Sequence, residues 1–122
     1  MIVDDEPDIV AIMELALKSR GYSVGAFTSP GKAVEELRSS KEYALVISDI
    51  RMPDMNGFEL ARKAREARPD IPLVLMTAFE INKPEFAVLF PSTSVSDFVK
   101  KPFSGARLVS IVRKYVGVTE QH

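Results

Sequence analysis

Asp49 closes the apolar run Ala44-Leu45-Val46-Ile47-Ser48, and three other apolar runs end on polar residues of complementary chemistry. Asp4 and Asp5 follow Met1-Ile2-Val3, Thr77 follows Leu73-Val74-Leu75-Met76, and Lys101 follows Phe98-Val99-Lys100. If these runs are parallel strands of one sheet, their ends gather three carboxylates, a hydroxyl and an ammonium in one crevice, because ligands of open α/β sheets bind beyond the carboxyl ends of the strands. Carboxylates crowded together repel one another unless a hard dication offsets them. Mg²⁺ suits such a place, since it binds through one or two carboxylates, water and phosphate oxygens. One aspartate can then attack a phosphoryl group to form an acyl phosphate, while metal, lysine and hydroxyl take up charge on the transferred oxygens. Asp49 fits the nucleophile, Asp5 the metal ligand, and Lys101 and Thr77 the two donors.

Taken singly, most of these residues have plainer uses. Asp4-Asp5-Glu6 suits a helix start, where acids meet the positive end of the macrodipole. Thr77 is a β-former, and Lys100 or Lys101 can be a solvated surface lysine. Asp49 is different, because a carboxylate ending a buried central strand loses its hydration unless a cation or donor replaces it. The combination of all of them carries the chemistry.

The elements that must position these residues alternate from end to end, which predicts βαβ units and a parallel sheet. Pro7 opens a first helix with Ile9, Ile12, Met13, Ala16 and Leu17 at helical spacing, and Gly21 closes it. A strand is expected over Tyr22 to Phe27, a helix from Pro30 to Ser39 with Ala33, Val34 and Leu37 inward, and a central strand over Tyr43 to Ser48. The loop from Arg51 to Gly57 leads to a helix over Phe58 to Ala67, a covered strand over Ile71 to Met76, and a short helix within 85–90 between Pro84 and Pro91. A brief strand at Asp97 to Val99 precedes a last helix over Ser104 to Tyr115. The total is five strands and five helices.

The 122 residues fit one domain with a real core. A formal charge of -1 with no basic stripe argues against direct nucleic-acid binding. Absence of cysteine, with a lone His122, rules out a disulfide framework and zinc or haem chemistry. No apolar run nears the roughly 20 residues of a membrane span, and no signal peptide is visible, so the expected location is cytoplasmic.

Four motifs in order, Val3-Asp4-Asp5-Glu6, Asp49-Ile50-Arg51-Met52-Pro53-Asp54-Met55-Asn56-Gly57, Met76-Thr77-Ala78 and Asp97-Phe98-Val99-Lys100-Lys101-Pro102-Phe103, resemble the receiver domain of two-component response regulators. The resemblance spans the chain. It implies a flavodoxin-like, doubly wound α/β fold of strand order 2-1-3-4-5 with helices on both faces. It implies a receiver over 1–117, with 118–122 a tail or the start of a linker. It also implies phosphotransfer from a sensor histidine kinase or histidine phosphotransfer protein to Asp49, the chain catalysing only its own phosphorylation and dephosphorylation. Asp5 would bind Mg²⁺ directly, together with Asp49 and the backbone carbonyl of Arg51, and Asp4 through water. Thr77 and Lys101 would contact the phosphoryl group, Thr77 and Phe98 would form the switch, and the Lys101-Pro102 bond would be cis. Output would pass through the face of the fourth helix, fifth strand and fifth helix, to an effector or a second copy.

Several features depart from the family pattern. Only three residues precede Asp4, so the first strand would extend further back, and Pro91 to Ser96 replace the usual Gly-Ala before the fifth strand. Arg51 and Phe79 stand where attacking water must enter, which predicts a long-lived acyl phosphate. Phe86, Val88, Leu89 and Phe90 cannot all turn inward from one short helix, which predicts apolar surface there. Met52 and Met55 read as core and loop packing. A flavin carrier of the same architecture would need a hydroxyl- and glycine-rich phosphate loop where Asp4-Asp5-Glu6 stands. A haloacid-dehalogenase-like phosphatase would need an acid at Arg51. A pseudo-receiver scaffold that is not phosphorylated would keep the same fold, as would a regulatory domain cut from a larger effector such as a transcription factor.

Overall fold

Fully buried stretches alternate with half-buried ones along the chain, and the two kinds become strands and helices. A computed structural model describes residues 1–78 and 95–117. Its strands are β1 (Ile2–Val3), β2 (Ala26–Phe27), β3 (Val46–Asp49), β4 (Leu73–Thr77) and β5 (Asp97–Lys100). Its helices are α1 (Pro7–Lys18), α2 (Pro30–Arg38), α3 (Gly57–Ala67) and α4 (Gly105–Val116). The sheet has the order β2-β1-β3-β4-β5, every pair parallel, as the resemblance implies. The helix expected within 85–90 lies outside the described residues, which hold the other four of the five expected helices.

β3 and β4 are buried at every position because helices cover both faces of the sheet. Alternation sends neighbouring residues to opposite faces. Ile2, Ile47 and Val74 join Met13, Leu17, Leu108 and Val112 of α1 and α4 in one cluster. Val3, Val46 and Leu73 join Ala33, Leu37, Leu60 and Ala64 of α2 and α3 in the other.

Each helix begins where the chain supplies a reason. Pro7 occupies the first turn of α1, where a missing N–H costs nothing. The Ser29, Asn56 and Ser104 side chains accept from the backbone N–H groups of Lys32, Glu59 and Arg107 at the starts of α2, α3 and α4. Past the end of α1, Gly21 takes φ 88°, a conformation that suits glycine. Among the described residues no helix is long and apolar enough to cross a membrane.

Two expectations change. Ile12 does not face inward: it is 65% exposed, and Val10 takes the buried place beside Met13 and Leu17. At about 100° per residue, Val10 lies within the stripe centred on Met13 while Ile12 falls outside it. The second strand is only Ala26–Phe27, not Tyr22 to Phe27, because Tyr22 turns into the core and donates its hydroxyl to the Gly117 carbonyl at 2.7 Å. Other boundaries shift by one to three residues. Arg68 follows α3 and donates to the carbonyls of Leu37 at 3.0 Å and Ser39 at 3.1 Å, and to that of Lys41.

Candidate functional site

Parallel pairing brings all the strand ends to one edge. Asp49 ends β3, Thr77 ends β4, Lys101 follows β5, and Asp4 and Asp5 follow β1. Asp4, Asp5 and Asp49 each place a carboxylate oxygen within 4.8 Å of the others. The Lys101 ammonium lies 2.9 Å from Asp4 Oδ2 and 3.5 Å from Asp49 Oδ1. Its backbone N–H donates to the Thr77 carbonyl at 2.7 Å, which ties it to the end of β4; the Lys101-Pro102 bond is cis, as expected.

Burial grades the acids. Asp4 is fully buried with both oxygens engaged, Oδ1 accepting the Glu6 N–H at 3.0 Å and Oδ2 facing Lys101. Asp49 is 8% exposed and its Oδ1 accepts the Ile50 N–H at 2.9 Å. Asp5 is half-buried. Burial, and then the charge of Asp4, push the Asp49 carboxyl above its ordinary range, while Lys101 and the Ile50 N–H pull against them. Burial alone would lower the Lys101 ammonium, but the hydrogen bond and charge of Asp4, with those of Asp49, outweigh it and raise the group. Three carboxylates against one ammonium leave an excess of negative charge among hard oxygen donors, which fits a hard dication.

The remaining candidates lie around this core. Thr77 is buried, and Phe98 is half-buried on β5 opposite Leu75 of β4. Arg51 is exposed at the rim of an open hollow shared with Asp5, Ile50, Pro53 and Phe58. Met52 and Met55 pack on the α2 and α3 cluster, as core and loop residues do. Phe79 and the 86–90 apolar positions lie outside the described residues. Two residues that sequence reasoning passed over also touch the site, Ser48 and Gly57. Ser48 looks like one more strand residue, and Gly57 after Asn56 looks like loop punctuation.

The sequence matches the response regulator receiver domain over residues 1–113. The chain belongs to that family. The receiver domain is 37% identical over 114 residues to the C4-dicarboxylate transport transcriptional regulatory protein DctD of Rhizobium meliloti, covering 93% of this chain and 24% of that protein. It is 36% identical over 110 residues to the response regulator SaeR of Staphylococcus aureus, covering 89% of this chain and 46% of SaeR. The chain thus spans less than half the length of either relative. Its fold superposes, with a TM-score of 0.80 and 25% identity, on the receiver domain of a Pseudomonas aeruginosa PAO1 sensor histidine kinase, covering 95% of this chain and 94% of that one. That structure has a magnesium ion coordinated in its active site cleft.

Proposed function

We propose that this receiver domain accepts a phosphoryl group on Asp49 from the phosphohistidine of a sensor histidine kinase or histidine phosphotransfer protein in the cytoplasm. The observation that carries the proposal is Asp49 at the end of a central strand, in one crevice with two further carboxylates and the Lys101 ammonium 3.5 Å away. A carboxylate oxygen of Asp49 attacks phosphorus, the bond to the imidazole nitrogen breaks, and an acyl phosphate and free imidazole result. Lys101 favours the ionised form of the nucleophile and offers its ammonium to the transferred oxygens, and Thr77 offers its hydroxyl. Asp5, Asp49 and the Arg51 carbonyl would hold Mg²⁺, with Asp4 acting through water. The bound ion would neutralise charge on the phosphoryl group. The domain catalyses only its own phosphorylation and dephosphorylation.

The module comprises residues 1–117, with 118–122 beyond it. Phosphorylation draws Thr77 toward the phosphoryl group and lets Phe98 turn inward, shifting the population between two packings of the face that includes β5 and the last helix. An effector or a second copy reads that face. Control of transcription as the output is supported by the likeness to DctD, a transcriptional regulatory protein by name. Incubation with acetyl phosphate and Mg²⁺, followed by intact mass, tests the acceptor. Wild type should gain one phosphoryl group and Asp49→Ala none; equal labelling of the two would refute the assignment.

A further inference from the structure

The backbone at Asp49 and Ile50 is held from three sides. Ser48, fully buried, donates its hydroxyl to the Asp49 carbonyl at 2.9 Å. Ile50 N–H is shared between Asp49 Oδ1 at 2.9 Å and the Met76 carbonyl at 3.2 Å. From the third side Gly57, the first residue of α3, donates its N–H to the Ile50 carbonyl at 2.8 Å. A β-carbon on Gly57 would lie 2.4 Å from the Asp49 carbonyl oxygen and 2.8 Å from Ile50 Cα. Both are backbone atoms, which cannot swing aside as a side chain would.

We infer that Ser48 and Gly57 are positioning residues that fix the Asp49 carboxylate against Asp4, Asp5 and Lys101 by pinning the carbonyls of Asp49 and Ile50. This rests on Asp49 being the phosphoacceptor. The helix start comes close enough to form the clamp only because Gly57 lacks a side chain. Ser48 satisfies its own buried hydroxyl by the same bond that steadies Asp49. A methyl group at Gly57 would push the Asp49-Ile50 peptide outward and turn the carboxylate from its neighbours. Misplacement of a reacting group by about 1 Å can cost on the order of 10²-fold in rate.

The test uses Gly57→Ala and the pair Ser48→Thr and Ser48→Val, which share a shape and differ in the hydroxyl. Acetyl phosphate with Mg²⁺ gives the phosphorylation rate, and amide hydrogen exchange without metal gives the local restraint. Gly57→Ala should phosphorylate at least about tenfold more slowly. Ser48→Thr should run several-fold faster than Ser48→Val. In Gly57→Ala and Ser48→Val the Ile50 amide should exchange faster while those of Ile47 and Val74 keep their protection. Thr and Val variants of equal rate would overturn the role of Ser48, and a Gly57→Ala protein of wild-type rate would overturn that of Gly57. Exchange accelerated equally at Ile47, Val74 and Ile50 would mark a general loss of structure and would also overturn the inference. Wild type that takes up no phosphate would instead refute the acceptor reading, and the clamp's purpose with it.

Discussion

Asp4 and Asp5 are adjacent in sequence and unequal in the fold, because one is buried with both oxygens bonded and the other is half-buried at the crevice edge. Asp5→Ala should therefore weaken Mg²⁺ binding more than Asp4→Ala in a calorimetric titration. Asp4→Ala should cost more stability, about 1–3 kcal/mol by urea unfolding, since it frees the Glu6 N–H and removes the shorter of the two carboxylate contacts that Lys101 makes among the described residues. Asp49 itself works against the metal-free fold. Its carboxyl is raised above the ordinary 3.8, mainly by burial, so the native state binds the proton more readily than the unfolded chain does. Stability is then lost as pH rises from the ordinary value through the raised native one. Asp49→Asn should accordingly melt higher than wild type at pH 7 without metal, and the gap should close as pH falls below about 3.8. Thermal melts across that pH range check both points. The acids, Thr77 and Lys101 were legible because each ends an apolar run. Ser48 and Gly57 were not, because their importance lies in how near α3 comes to the end of β3, and no local pattern encodes that approach.

Helix periodicity revealed which segments fold into helices more faithfully than which residues they bury. In α1, Leu15 points away from the stripe centred on Met13 and is 72% exposed. Leu15→Gln should change stability by no more than about 0.5 kcal/mol, whereas Leu17→Ala should cost about 2–5 kcal/mol. Chemical unfolding of the two variants reads the difference. The short β2 was overextended because Tyr22, Val24 and Phe27 carry strand propensity, while the tertiary bond from Tyr22 to Gly117 draws the start of that stretch into the core. Arg68 is a long-range element of the same kind. It gathers three carbonyls from the end of α2 and the loop after it, a role that a cation just past the end of α3 does not announce. Arg68→Ala should lower stability by about 1–2 kcal/mol, and Arg68→Lys should recover only part of it, since an ammonium lacks the planar fork.

For the molecule as a whole, the strand order was legible because four motifs each follow a strand and the resemblance they carry implies one topology. The 79–94 segment was not open to the same test, as it lies outside the described residues. A dication that binds only the folded crevice stabilises the entire domain, by about 2.7 kcal/mol at 100 times its Kd. Mg²⁺ should therefore raise the melting temperature of wild type and leave that of Asp5→Ala nearly unchanged, and a chelator should reverse the gain. The 97-residue separation between Asp4 and Lys101 has a further consequence, for synthesis on the ribosome. Chain growth at about 5–20 residues per second puts roughly 5–20 s between the emergence of the two partners. During that interval the nascent chain holds its acids without their ammonium, and β5 is not yet there to pair with β4. The crevice is consequently completed late, after β3 and β4 and just before α4, and a nascent chain released before Lys101 carries the nucleophile but not the charge that readies it.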